Sequence, residues 1–139
     1  MKTERLFTIL EEAAPLALAA SWDNCGVQVA GSAPEVTRLA VALDPRPDTV
    51  AACLDFGAQC ILTHHPLYLS PKAPKAEDDY LRVLRLVLAR GAWLYAAHTC
   101  LDAAPDGPAF WLGRELGLTG GRTLQPCPGY EGAAATGAR

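Results

Sequence analysis

Apolar residues recur at helical spacing from the start of the chain. Leu6, Ile9, Leu10 and Ala13 share one face, Thr3 is placed as the N-cap, and Pro15 ends or kinks the segment. Gly26 to Ala30 alternates weakly before Gly31-Ser32 and predicts a short strand. Leu39 to Leu43 is apolar throughout, and Asp44-Pro45-Arg46-Pro47 breaks it. Pro47 suits the first turn of the next helix, which carries Val50, Cys53 and Leu54 on one face and stops at Gly57. Cys60 to Thr63 reads as another strand, and the loop through Pro66, Pro71 and Pro74 cannot be helical.

A helix is predicted from about Ala76 to Arg90. Glu77, Asp78 and Asp79 suit the positive end of its dipole, Arg90 suits the other end, and Gly91 closes it. Its apolar stripe reads as Tyr80, Leu81, Leu84, Val87 and Leu88. A strand near residues 93–97 follows, then a last helix opened by Pro108 and closed by Gly117, with Ala109, Leu112 and Leu116 expected to face inward. Loops from about Ala104 onward are rich in proline and glycine. Thr119 to Arg139 has no clear apolar period and reads as a linker or disordered tail.

The order α-β-β-α-β-α-β-α predicts an α/β domain with a mixed, mainly parallel sheet and helices on both faces. His65 to His98 spans one right-handed crossover unit. Parallel strands then bring His64 and His65, His98 and Asp102, and Asp44 to one carboxyl-end edge, where ligands bind in open α/β sheets.

Size and composition narrow the classes. The chain has 139 residues, half of them hydrophobic and 19% charged, as expected of one globular domain. Its net charge of -3 and scattered Lys and Arg residues give no basic stripe for nucleic acid. No apolar run approaches the roughly 20 residues of a membrane span. The first helix carries Glu11 and Glu12, unlike a signal peptide, so the expectation is a soluble protein of the cytoplasm. Its five cysteines form no C-x-x-C pair and read as reduced thiols.

Neutral imidazole is a common ligand of divalent transition metals, and a carboxylate adds a hard anionic oxygen. Adjacent His64 and His65 can diverge just past their strand, Pro66 holding His65 extended. His64, His65 and Asp102 are therefore candidate ligands, set against a pair of loop histidines that merely hydrogen-bond. His98 could be a ligand, a core residue, or a support that orients Asp102 or relays a proton; the support role is preferred. Asp44 could support the site or cap the turn at Pro45. Cys100 reads as a packed residue. Trp22-Asp23-Asn24-Cys25-Gly26 is a turn entering a strand, with Trp22, Asp23 and Asn24 as pocket supports together with Thr99. Dinucleotide, phosphate-loop and serine-nucleophile motifs do not occur, and no residue is assigned as catalytic.

Four segments carry a family resemblance: Ser21-Trp22-Asp23-Asn24-Cys25-Gly26-Val27, Leu43-Asp44, Leu62-Thr63-His64-His65-Pro66-Leu67 and Ala97-His98-Thr99-Cys100-Leu101-Asp102-Ala103-Ala104. With Phe110-Trp111-Leu112 through Leu116-Gly117-Leu118, the chain resembles the GTP cyclohydrolase I type 2 homologues, or NIF-three-like dinuclear-metal-centre proteins, over about residues 3–118. The resemblance implies two α-β-(β-α)3 repeats, two divalent metal ions facing the inside of a hexameric ring, and His64, His65 and Asp102 as ligands from the first repeat. Zinc, iron, manganese and nickel all fit such donors. Cys100 stands where asparagine is often expected.

Residues 1–118 match only the first repeat. The family's remaining ligands are a His and a Glu spaced H-x-x-x-E in the second, and here no histidine follows His98. The tail 119–139, rich in Gly, Ala and Pro, resembles at Gly132-Ala133-Ala134-Ala135-Thr136-Gly137-Ala138-Arg139 the strand that opens the missing repeat. The expectation is a truncated, split or fragmentary chain. Its function would resemble that of a metal-dependent hydrolase acting on a nucleotide such as GTP, with water activated between two ions. The alternative is a non-catalytic metal-binding or regulatory scaffold, in a homo-oligomer that acts through protein contacts.

Overall fold

The computed structural model describes residues 1–105 and 107–119, and the tail assigned above from residue 120 onward, with Cys127, lies outside them. Its elements are α1 (Thr3–Ala13), β1 (Gly26–Val29), β2 (Leu39–Ala42), α2 (Pro47–Asp55), β3 (Cys60–Thr63), α3 (Asp79–Arg90), β4 (Trp93–Ala96), α4 (Thr99–Asp102) and α5 (Pro108–Glu115), with a 3-10 turn at Leu16–Leu18. The four strands form one sheet in the order β1-β4-β3-β2. β2, β3 and β4 are parallel, and β1 runs antiparallel to β4.

Alternation along the strands divides the core. Ile61 and Leu94 point to one face, where α2 and α3 seal them with Val50, Leu54, Val83 and Val87. Cys60 and Trp93 point to the other and meet Leu6, Phe7 and Leu10 of α1. Phe7 holds both Trp93 and Tyr95, at ring-centroid distances of 5.2 and 5.3 Å. The Tyr95 hydroxyl is buried there with no hydrogen-bond partner among the described residues.

Four expectations change. Thr3 is the first residue of α1 rather than its cap, and its hydroxyl donates to Ala33 O at 2.8 Å, tying the helix to the loop after β1. Ala14, not Ala13, is the buried alanine at the end of that helix. Helix α3 starts at Asp79, later than Ala76, because Asp78 is the cap and accepts from Leu81 N at 3.0 Å. Its fully buried residues are Val83 and Val87, one turn apart, while Leu88 is exposed and Tyr80 leaves the core to pack on Tyr68.

Helix α5 departs furthest. It contains no buried residue, and Ala109, Leu112 and Leu116 are exposed rather than inward, since the element it packs on is the short α4. The edge strand β2 likewise leaves Val41 71% and Leu43 61% exposed, because α1 lies over the other strands. Among the described residues, no helix is long and apolar enough to cross a membrane.

Candidate metal centre

The three parallel strands end together, and their ends build the site. The β2–β3 ladder continues past the strands, with His64 N donating to Ala42 O at 3.2 Å and His65 N to Leu43 O at 2.9 Å. Thr63, almost wholly buried, donates its hydroxyl to His65 O at 2.8 Å and fixes the turn into Pro66. On the next strand, Ala97 N reaches Thr63 O at 2.9 Å. His98 then caps α4, its carbonyl accepting from Leu101 N and Asp102 N. Gly107 follows where a Cβ would collide with the carbonyls of Leu101 and Ala104, so only glycine lets the chain turn there into α5.

The fourth contribution comes from the antiparallel strand. Because β1 starts where β4 ends, with Gly26 opposite Ala96, the segment 22–25 arrives at the same edge. Asp23 is its centre, with a fully buried side chain. Its Oδ1 accepts from His98 Nδ1 at 2.9 Å and from Asn24 N at 2.7 Å. Its Oδ2 accepts from the Thr99 amide at 3.1 Å, from the Cys25 thiol at 3.1 Å, and from the Thr99 hydroxyl in a short hydrogen bond. Burial alone would raise the Asp23 pKa; the bonds from His98, Thr99, Cys25 and Asn24 outweigh it and hold the carboxyl well below its ordinary range.

Each histidine is gripped through Nδ1. His64 donates to Ala97 O at 2.9 Å, His65 pairs with Asp44 Oδ1 at 2.6 Å, and His98 pairs with Asp23. A carbonyl or carboxylate can only accept, so Nδ1 carries the proton in all three and a neutral ring keeps its lone pair on Nε2. The rings form a near-equilateral triangle, with centroids 5.1, 5.1 and 5.5 Å apart. One nitrogen from each lies within 4.8 Å of the other two, so His64, His65 and His98 could hold a metal ion. Acceptors behind ligating imidazoles fix ring orientation and raise basicity, and all three rings have one.

His98 thus stands in the triangle with its ring held by Asp23, rather than as the support behind Asp102. Asp102 instead faces His64, with Oδ1 3.6 Å from Nε2 and a half-exposed side chain. Asp44 lies behind His65, and Thr99 behind Asp23. Trp22 stands at the rim, 59% exposed, its ring edge-on to His98 at 6.1 Å. Asn24 points away from the triangle, its amide donating to Gln28 Oε1 at 3.1 Å and Tyr68 O at 3.0 Å.

Sequence reading passed over Gln28 and Cys25. Buried Gln28 donates to Asn24 O and Gly26 O and accepts from Leu67 N at 3.1 Å, joining the segment before β1 to the loop after His65. The signal was a polar residue between Val27 and Val29 in a short strand. Cys25 packs on a small cluster of Ala14, Ala97 and Cys100. The nearby Cys100 side chain lowers the Cys25 pKa to about 7, against burial, while Cys100 is driven upward.

The sequence profile of the Duf34/NIF3 (NGG1p interacting factor 3) family matches residues 1–137. The chain belongs to this family. A Staphylococcus aureus (strain N315) relative described as a GTP cyclohydrolase 1 type 2 homolog is 32% identical over 118 residues, which cover 85% of this chain and 32% of that one. The chain therefore spans about a third of the length of such curated relatives. Among solved structures it is similar to reduced HcgD from Methanocaldococcus jannaschii, with a TM-score of 0.83 and 28% identity over 90% of this chain and 50% of that one. A Bacillus cereus protein related to NIF3 gives a TM-score of 0.80 and 29% identity, over 91% of this chain and 35% of the other. The mixed α/β fold is thus that of NIF3-like proteins.

Proposed function

We propose that this Duf34/NIF3 chain supplies the first-repeat half of a dinuclear metal site that works as a metal-dependent hydrolase. The supporting observation is the convergence of three imidazoles, each held through Nδ1, with one nitrogen of each within 4.8 Å of the other two. His64, His65 and His98 would hold one divalent ion, and Asp102, beside His64, offers the carboxylate for it or for a second. The donor set fits: three imidazole nitrogens with the carboxylates of Asp23, Asp44 and Asp102 around them favour a cation over an anion. When bound, a divalent ion supplies Lewis acidity, lowering the proton affinity of water and neutralising charge on a substrate oxygen.

The chain's own groups do the positioning. Asp44 and Asp23 keep His65 and His98 in one tautomer, the Ala97 carbonyl does so for His64, and Trp22 presents an aromatic surface at the rim. The names of the curated relatives make a nucleotide such as GTP the first substrate to try. A His and a Glu from a second repeat would complete the ligands, and a homo-oligomeric ring would enclose them. The exposed apolar residues of β2 and α5 favour a second reading, in which the chain is a metal-binding scaffold that acts through protein contacts.

The deciding experiment is metal stoichiometry on the 139-residue chain, stripped and reloaded with zinc, iron, manganese or nickel. A His64→Ala/His65→Ala variant serves as the control. Near-stoichiometric metal, lost in the control, is expected. Equal metal content in both proteins, or none in either, overturns the assignment. Hydrolysis across a panel of nucleotides and phosphoesters then separates the enzyme from the scaffold.

A further inference from the structure

We propose that a second copy of this chain docks on the free edge of β2, the two β2 strands pairing antiparallel about a two-fold axis at Val41. β2 is an outer strand of the sheet, bonded on one side to β3 and on the other to no strand among the described residues. Ala42 O accepts from His64 N, so Ala42 turns its backbone toward β3. By alternation along the ladder, Val41 turns its N–H and C=O to the open side. Proteins ordinarily blunt such edges with lysine, proline or a bulge. No lysine or proline stands between Leu39 and Leu43, and the β2–β3 register runs without a shift.

The order of residues along this edge identifies the occupant. In Arg38-Leu39-Ala40-Val41-Ala42-Leu43-Asp44 the apolar stretch reads the same in both directions, and opposite charges close its two ends. A two-fold contact sets residue i against j and j against i, so it asks for this symmetry. With Val41 against itself, Ala40 meets Ala42, Leu39 meets Leu43, and Arg38 meets Asp44 of the second copy, each pair occurring twice. Other registers lose the match. An axis at Ala42 sets Arg38 against Arg46, and an axis at Ala40 sets Arg38 against Ala42 and Asp44 against Val36.

The faces of the sheet agree with this register. Leu39 lies beside Cys60 on the side that carries α1, and Ala40 beside Ile61 on the side that carries α2 and α3. Alternation places Val41 and Leu43 with Leu39, and Arg38 and Asp44 with Ala40. Pairing therefore joins the exposed Leu39, Val41 and Leu43 of both copies into one apolar strip, with the ion pairs on the opposite face. Both charged groups have capacity to spare. Arg38 spends one of its five N–H groups on Phe56 O at 3.3 Å, and Asp44 holds His65 through Oδ1 alone of its two oxygens. A contact along one short strand is small, so the dimer should dissociate on dilution.

The pairing needs no metal, and its test uses the metal-free 139-residue chain, leaving the metal assignment to its own experiment. In sedimentation equilibrium the weight-average mass should rise from 14.7 kDa toward twice that value as concentration increases. Val41→Lys places two ammonium groups at the axis and should hold the mass at that of one chain. Arg38→Asp and Asp44→Arg, each alone, set like charges opposite one another and should weaken the dimer by about tenfold or more. Mixed in equal amounts, the two variants should pair with each other as the wild type pairs with itself, because each supplies the charge that the other lacks. A monomer at every concentration, association unchanged in Val41→Lys, or a mixture that associates no more tightly than its separate components overturns the inference. Should circular dichroism show either charge variant unfolded, the comparison of wild type with Val41→Lys still decides.

Discussion

Asp23 Oδ1 lies 2.9 Å from His98 Nδ1, joining residues 75 positions apart in the chain. Asp23 sits before an edge strand and His98 after a central one, and the antiparallel pairing of those strands makes them neighbours. Every other acceptor behind the triangle, Asp44 and the Ala97 carbonyl, comes from a parallel strand end.

The Asp23 carboxylate should govern the acid limb of stability. Its pKa is depressed in the folded chain, so its contribution is complete above the unfolded value of about 3.9 and is lost as pH falls below it. Asp23→Asn should cost roughly 2–3 kcal/mol near neutrality. The cost should shrink below about pH 4, where the unfolded carboxyl takes up its proton. Urea titrations of both proteins from pH 3 to 7 would read this, and a constant difference across that range would contradict it.

Thiol labelling should follow a fixed order. The pKa of Cys25 is lowered to about 7 by the neighbouring Cys100 thiol, whereas burial pushes Cys60 up to about 12 and raises that of Cys53. Iodoacetamide at pH 7.5 should modify Cys25 well before Cys53, and Cys60 only on unfolding. Mass spectrometry of time-quenched samples resolves the order, and early labelling of Cys60 would contradict it.

Tyr95→Phe should be neutral or stabilising. The hydroxyl is buried without a partner among the described residues, while the ring packs on Phe7. Its removal relieves an unpaired polar group worth about 1–3 kcal/mol. A fall in Tm would mean that the hydroxyl has a partner which the phenyl ring cannot replace.

Val41→Lys tests the bare face of β2. Val41 is 71% exposed on an edge strand, so the substitution should change stability by less than about 0.5 kcal/mol. It should also suppress any concentration-dependent association, since charged residues protect sheet edges. Light scattering and thermal unfolding together decide it.

The elements of this fold were legible because their signals are local. The spans of β3 and α2, the stop at Gly57 and the gathering of His64, His65 and Asp44 at one edge follow from apolar runs, breakers and parallel pairing. Helix α5 was misread because its period looks amphipathic while nothing described packs on Leu112 and Leu116. The partner of His98 was misread for a related reason. Asp102 lies four residues away in sequence, but α4 turns it toward His64, and the carboxylate that meets His98 comes from the far side of the chain.

The reversed direction of β1 makes one support of the site depend on a distant part of the chain. The local crossovers can form the parallel strand ends, but Asp23 reaches them only when the edge strand docks by contacts of high sequence separation, a slow class of event in folding. The pairing of His65 with Asp44 needs only the parallel strands, while that of His98 with Asp23 needs the docked edge strand. In the proposed metal site, full affinity would then require the docked edge strand, and a partly folded chain would let its ion go.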